Sequence, residues 1–229
     1  MVAGFVVAGM AFASWAGYAL ADDVISTSPV TLSYNQSSFT ITGGSVAQFH
    51  NASTGGIYGG TSHSVLADDN KTLGGHPLFL SDVISGGETT SVKGTQYLTP
   101  GDYTFHCAIH GPSMSATLHV DGGTPVARPA MTLAITSTKL AAVQSSGKLK
   151  AKVSDTGSDA SGVALTASLG KKTLATARGV KVAAGASQPV TMKLSKTGAK
   201  ALKGLDKATV KLGGTVAFGS AAKTKSTLK

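Results

Sequence analysis

Residues 100–114 read PGDYTFHCAIHGPSM, and this stretch decides both the fold and the chemistry predicted for the chain. Tyr103, Phe105 and Cys107 alternate with more polar neighbours, which is the pattern of a β-strand that turns one face to a core. Cys107 is the one cysteine of the 229-residue sequence. We therefore expect its thiol at the end of a strand and on the buried face.

The segment that follows predicts a metal site. The Gly-Pro step at residues 111–112 breaks the alternation and predicts a turn, which brings His110 and Met114 back towards the sulfur of Cys107. A thiolate and a thioether beside an imidazole form a ligand set that selects copper, and a histidine from upstream completes a trigonal site with a long axial methionine. His63 is the candidate for this further ligand.

The same residues carry a family resemblance. The pattern Pro-Gly-x-Tyr-x-Phe-x-Cys-x-x-His, a nearby methionine and a closing strand at residues 116–120 resemble the plastocyanin-like branch of the cupredoxins. His63, after the strand-like residues 45–51, matches the first histidine of that family. The resemblance covers residues 24–121 and implies a Greek-key β-sandwich. It also implies one type 1 copper ion, bound by His63, Cys107, His110 and Met114.

Three features depart from the family pattern, one of which is a longer loop at residues 51–58, before His63. Three residues separate His110 from Met114, whereas plastocyanins usually have four and amicyanins two. Ser64 stands where many relatives have an asparagine that ties the two ligand loops together, so we expect a looser connection around the metal ligands.

The remaining four histidines are predicted to lie outside the site. His106 and His119 fall on the outward phase of their strands, and His50 ends a strand, so each is expected to be solvated or locally hydrogen-bonded. His76 is interpreted as a loop histidine, with a place at the copper end or in a second weak metal site as the alternative.

The N-terminal segment predicts export. Residues 2–20 carry no charge, and Ala-Leu-Ala at residues 19–21 is typical of a cleavage site. Residues 1–21 are therefore a signal peptide or an N-terminal anchor, with cleavage favoured. The protein is expected to be extracellular, at the cell surface or periplasmic. A lone thiol in an oxidising compartment also favours a metal ligand, because it has no internal disulfide partner.

Charge divides the chain into two parts. Residues 1–125 contain two lysines and eight acidic residues, a net charge of 2 − 8 = −6, whereas the remainder contains 18 basic and three acidic residues, a net charge of 18 − 3 = +15. The change falls in a Gly/Pro-rich stretch. We predict a copper domain at 22–121, a linker at 122–130 and a basic domain at 131–229.

The basic domain is predicted to be a second, smaller β-sandwich. Apolar residues alternate with polar ones at 148–153, 163–169, 190–194 and 210–212, with polar turns between these segments. One or two helical turns are expected at 196–203. This half weakly resembles the immunoglobulin-like repeats of bacterial surface proteins. The fold class of the whole chain is therefore all-β.

The function predicted from the sequence is one-electron transfer by an exported blue copper protein that cycles between Cu(I) and Cu(II). By the family resemblance, a redox protein partner docks near His110. Two alternatives stay open, which are copper capture or delivery, and a surface adhesion or scaffold protein whose copper fold is vestigial. An enzyme is not predicted, because multicopper enzymes need further histidine clusters, commonly His-x-His pairs.

The lysine-rich domain has two further interpretations. It either attracts an anionic cell-wall polymer, a membrane surface or an acidic protein, or is a solvated face that keeps the protein soluble. Nucleic acid is not an expected partner, because the basic residues are not interleaved with aromatic ones and the chain is predicted to be exported.

Overall fold

A computed structural model describes residues 23–68 and 76–229 of the chain. Within these residues the chain forms fourteen strands and two short α-helices, so the all-β prediction is confirmed. The predicted export segment, residues 1–21, lies outside the described residues. Among the helices in the described part of the chain, none has the length and apolar character needed to cross a membrane.

The N-terminal half is built from two sheets that enclose one core. One sheet has the order β1-β3-β5 and the other the order β2-β7-β6-β4, and the pairs β1/β3 and β2/β7 are parallel. The strands are β1 (Val24–Ser26), β2 (Ser38–Gly43), β3 (Gln48–His50), β4 (Leu66–Ala67), β5 (Thr89–Ser91), β6 (Gly101–Cys107) and β7 (Gly111–Gly123).

Strand β6 has the two faces that its sequence predicts. Phe105 and Cys107 are fully buried, and Tyr103 is half-buried on the same face. The ring of Phe105 packs edge-on against Tyr34, with 4.9 Å between the ring centroids. These contacts fix the end of β6 in the core, so the position of the Cys107 thiol is set by packing as well as by chain pairing.

The C-terminal half is a second pair of sheets with its own core. The orders are β11-β10-β13-β14 and β12-β9-β8. The elements are β8 (Met131–Ile135), α1 (Leu140–Ser146), β9 (Lys148–Asp155), β10 (Ala160–Leu169), β11 (Lys172–Val182), β12 (Ser187–Lys193), α2 (Lys196–Leu202), β13 (Ala208–Thr215) and β14 (Ala222–Leu228). The expected helical turns are present as α2, whose N-cap Ser195 accepts a hydrogen bond from the Gly198 backbone N–H.

Phe218 joins the two halves. The buried hydrophobic residues form two clusters, one within residues 25–120 and the other within residues 131–228, and Phe218 belongs to neither. Its buried ring lies 5.5 Å from the His76 ring and 6.3 Å from the Tyr97 ring. A Cβ atom on Gly94 would approach this ring to 2.8 Å, so the glycine makes room for it.

Arg128 holds the same junction from the connecting segment. Its guanidinium donates hydrogen bonds to the backbone oxygens of Phe218, at 3.2 Å, and Tyr97, at 3.3 Å. It also stacks over the Tyr97 ring, 5.3 Å from the ring centroid. Burial lowers the pKa of Arg128 from its ordinary value, but the nearby Tyr97 and Tyr103 act in the opposite direction.

Candidate metal centre

Cys107 is placed by the end of strand β6. The chain reverses over Ala108–His110, and Gly111, with a φ of 63°, begins β7 opposite Cys107. The reversal therefore comes three residues before the turn that residues 111–112 predicted, because Gly111 supplies the left-handed backbone that closes the hairpin. This tight reversal puts His110 directly beside the buried thiol.

His63 is placed by a local backbone pairing with Ile84. The N–H of each residue donates to the carbonyl oxygen of the other, at 3.0 Å in both directions. The side chain of His63 is fully buried, and its Nδ1 atom lies 3.9 Å from the sulfur of Cys107. Two segments that are 44 residues apart in the sequence thus meet at one point.

The structure brings His63, Cys107 and His110 together as one group. Their potential ligand atoms all lie within 4.8 Å of one another, and the two imidazole rings are 4.8 Å apart, inclined at 46°. Protein nitrogen and thiolate ligands bind a zinc ion at about 2.0–2.3 Å in a tetrahedral arrangement, so the ligand atoms of one such ion are about 3.3–3.6 Å apart. The 3.9 Å between His63 Nδ1 and the sulfur is close to this spacing, whereas the upper limit of 4.8 Å for the group exceeds it by about 1 Å, so an ion would draw these side chains closer together.

Met114 lies on strand β7, three residues after Gly111, the residue that pairs with Cys107. It is buried and belongs to the same core as Cys107. The pairing of β6 and β7 shifts between Ser115, which is opposite His106, and Gly111, which is opposite Cys107, and Met114 falls inside this irregular stretch. The structure thus places the thioether on the inner side of β7, next to the loop that carries His110.

Unpartnered nitrogen atoms mark the centre as a place for a ligand. His63 Nε2 and His110 Nδ1 are buried and have no hydrogen-bond partner. Burial lowers the pKa of His63 from its usual value, and the neighbouring His110 lowers it further, so the ring is held in the neutral form that binds metals. The unsatisfied buried Nδ1 of His110, in one group with a buried thiol and a second imidazole, fits a metal ion, whose binding would satisfy this nitrogen.

Ser64 ties the two ligand segments together. Its Oγ accepts a hydrogen bond from the Ala108 N–H at 3.1 Å and lies 3.9 Å from the sulfur of Cys107. The buried Tyr34 hydroxyl donates to the Ser64 carbonyl oxygen at 2.6 Å. The serine hydroxyl therefore makes a cross-link at this position, and the expectation that this connection is looser than that of an asparagine stays a prediction. The signal for this role in the sequence was the position of Ser64 directly after His63, where many relatives have the asparagine.

The other histidines lie outside the group. His50 contacts the Thr89 hydroxyl at 3.0 Å, His119 pairs with Asp102 at 2.6 Å, and His106 pairs with Asp68. His76 is exposed and faces Phe218 at the junction of the two halves. Within the described residues, His63, Cys107 and His110 form the group that could hold a metal ion, and these four histidines are not part of it.

Comparisons with known proteins give similarity at the level of solved structures. No family model matches the chain, and no curated protein matches it. A structure of auracyanin B is 18% identical, with a TM-score of 0.34, and the match covers 43% of this chain and 86% of that one. A biofilm-associated protein, in a structure of its BSP domain, is 13% identical, with a TM-score of 0.23. That match covers 74% of this chain and 25% of that protein's chain.

Proposed function

We propose that this protein is an exported one-electron carrier whose metal centre is a type 1 copper site. The observation that carries the proposal is the convergence of the His63 and His110 rings on the buried thiol of Cys107, with His63 Nδ1 3.9 Å from the sulfur and His110 Nδ1 buried without a hydrogen-bond partner. Copper bound there would supply a one-electron couple between its cuprous and cupric forms. His63, Cys107 and His110 would be the main ligands and Met114 a weaker axial one.

The protein part of such a carrier must be rigid and dry. Cys107 sits in a β-strand with a neighbour on each side, β4 and β7, and both Cys107 and His63 are fully buried. The hydrogen bond from Ala108 to Ser64 holds the two ligand segments in place. A donor set fixed in this way changes little between oxidation states, which favours fast electron transfer.

His110 provides the access that a carrier needs. It is half-buried, whereas the other two members of the group are buried, and it lies next to Ile109, which is 52% exposed. We propose that a redox protein partner docks at this end, over the loop Ala108–His110. An exposed apolar residue beside the ligand supplies the dry contact that such an interface requires.

The test is the visible spectrum of the purified protein loaded with cupric ion. We expect an intense thiolate charge-transfer band in the wild type, no such band in Cys107→Ala, and a weakened or shifted band in His110→Ala. The matched control is His119→Ala, which removes a histidine outside the group and should keep the band. A wild-type protein that binds no copper, or a His119→Ala variant as impaired as His110→Ala, would refute the proposal.

Copper capture or delivery is the second candidate, and the burial of the donors argues against it. A carrier that hands on its metal needs exposed ligands, whereas His63 and Cys107 are fully buried. We therefore expect slow loss of copper to a competing chelator and reversible one-electron voltammetry. Rapid loss without a reversible wave would favour delivery, and a protein that copurifies with no metal would favour the scaffold interpretation.

A further inference from the structure

The outer surface of the sheet β11-β10-β13-β14 carries opposed lysines. Lys211 on β13 and Lys225 on β14 are directly paired, and Lys223 follows on the same side of β14. A groove of about 580 Å³ lies at these lysines. It is also lined by Gly213, which is opposite Lys223, and by Thr166 on the next strand. We call this the 211/225 face. Like charges directly opposite each other destabilise a sheet, so an anion bound between these lysines would relieve their repulsion.

The other sheet of this half repeats the arrangement. Lys193 on β12 is directly paired with Lys148 on β9, and Lys150 and Lys152 follow on the same exposed side of β9. A groove of about 600 Å³ lies beside Lys148 and Lys150 and is lined by serine and threonine hydroxyls. We call this the 148/193 face. Each sheet thus presents a pair of opposed lysines next to a hydroxyl-lined groove.

The two faces point in opposite directions. Leu149 and Val153 alternate with the lysines of β9, and Val210 and Leu212 alternate with Lys211 on β13. These four apolar residues all pack into the same core between the sheets. Side chains alternate across a strand, so the lysines of the two sheets stand on opposite outer surfaces of one sandwich.

Acidic residues of this half do not neutralise these faces. Within the described residues, the ion pairs involve Lys93, His106 and His119, all of the N-terminal half. Asp155 is buried and accepts from the Ala130 N–H, and Asp159 accepts from the Ala184 N–H. The positive potential of the lysine faces is therefore directed to solvent.

We infer that the C-terminal half binds a flexible, linear anionic polysaccharide on both faces and thereby cross-links two segments of it. Lysines supply the charge, and the hydroxyls lining the grooves suit the neutral groups of a sugar chain. A planar membrane fits less well, since it can contact only one of two opposite faces. The exposed large hydrophobic residue of this half is Leu205, which lies between α2 and β13 and lines neither groove, so a bilayer meets no inserting side chain at the lysine faces.

The test uses the full chain and dextran sulfate as the probe, with neutral dextran for comparison. We expect the wild type to bind dextran sulfate and to make the solution turbid at intermediate ratios, because each molecule joins two polymer segments. Salt should weaken both effects. The double variants Lys211→Gln/Lys225→Gln and Lys148→Gln/Lys193→Gln should each still bind through the remaining face, with about half the polymer sites per protein and no turbidity. Combining all four changes should weaken binding at least about tenfold.

A matched control distinguishes the effect of losing lysines on the two faces from the effect of lowering the net charge. Lys200→Gln/Lys203→Gln removes two exposed lysines from the end of α2 that line neither groove, and should keep the wild-type turbidity. Circular dichroism should show all variants folded. Three outcomes would overturn the inference. These are equal losses in the control and face variants, binding without turbidity in the wild type, and tighter binding to vesicles of anionic phospholipid than to dextran sulfate. The readout needs no copper, so its failure leaves the proposed electron transfer untouched.

Discussion

The Ser64 hydroxyl links the two segments that carry His63 and Cys107 in the candidate metal centre. This hydrogen bond gives the first prediction. Ser64→Ala removes the hydroxyl that accepts from the Ala108 N–H, and a hydrogen bond of this kind contributes about 1 kcal/mol. We expect urea unfolding of the metal-free protein to show a loss of this size. Ser113→Ala is the control, because it removes an exposed hydroxyl from the neighbouring stretch, where it donates to the His110 oxygen. Equal losses in the two variants would contradict the cross-linking role of Ser64.

Tyr34 supports Ser64 and is therefore one contact further from the candidate ligands His63 and Cys107. Its buried hydroxyl donates to the Ser64 oxygen, so Tyr34→Phe leaves a buried carbonyl without this donor and should cost about 1–3 kcal/mol of unfolding free energy. Burial raises the pKa of Tyr34 far above its ordinary value of 10.0, and negative charge on Cys107 and Asp68 raises it further. The folded protein therefore keeps the proton at a pH where the unfolded chain releases it.

A pH dependence follows from this shift. Above about pH 10 the unfolded state loses the Tyr34 proton while the folded state retains it, so stability falls as the pH rises beyond this value. We expect the wild type to lose stability more steeply than Tyr34→Phe over this range, as measured by urea unfolding at a series of alkaline pH values. Parallel curves for the two proteins would show that the folded state ionises Tyr34 normally.

At the level of elements, the substitution Gly198→Ala in helix α2 has two opposing effects on stability. Gly198→Ala raises the intrinsic helix propensity by about 1 kcal/mol. The new Cβ would also lie 2.2 Å from the Leu174 backbone oxygen on β11, and a backbone atom cannot move aside cheaply. We expect the clash to dominate, with a net loss of about 1–3 kcal/mol in thermal or urea unfolding. Thr197→Ala, one exposed position earlier, should be neutral or slightly stabilising. A stabilised Gly198→Ala protein would show that α2 can shift away from β11.

The elements that the sequence predicts are those with unbroken alternation. Strands β6 and β9 have such patterns, and their buried faces are the predicted ones. Strand β11 was missed because its pairing with β10 is irregular and Leu174 and Ala175 are buried consecutively, which breaks the period of two. Strand β14 was missed because two of its four inward positions are Thr224 and Ser226 and the strand lies at a sheet edge, so its apolar alternation is weak.

The candidate metal centre was also predictable in part from the sequence. The residue types and the spacing of Cys107 and His110 indicate one loop, and the structure brings these two residues together with His63. The family resemblance indicated Ser64 as the position of a link between the ligand loops, but its partner was not predictable, since a serine hydroxyl can reach a residue 44 positions away only through a specific fold. The same holds for Phe218, whose packing against the other half has no periodic signal in the sequence.

At the scale of the whole molecule, the junction and the metal centre lie at opposite ends of one strand. Tyr97, which contacts Phe218 and Arg128, precedes β6, and Cys107 ends it. Seven strand residues at about 3.3 Å each separate the two ends by about 20 Å. The basic half is therefore held away from the loop of His110. The proposed redox partner at that loop and the proposed anionic polymer on the lysine faces would therefore not compete for one surface.

Arg128 makes this arrangement rigid, which gives the last prediction. Its guanidinium joins the Phe218 and Tyr97 oxygens and covers the Tyr97 ring, three contacts that a planar, forked group makes together. We expect Arg128→Ala to uncouple the two halves, and Arg128→Lys to do so as well, because an ammonium group keeps the charge but lacks the fork. ¹⁵N relaxation should give one rotational correlation time for both halves in the wild type and two shorter ones in these variants. Arg178→Ala, at an exposed position on β11, is the control and should leave a single value. A common correlation time in Arg128→Ala would mean that the Phe218 ring against Gly94 and Tyr97 is sufficient to hold the halves together.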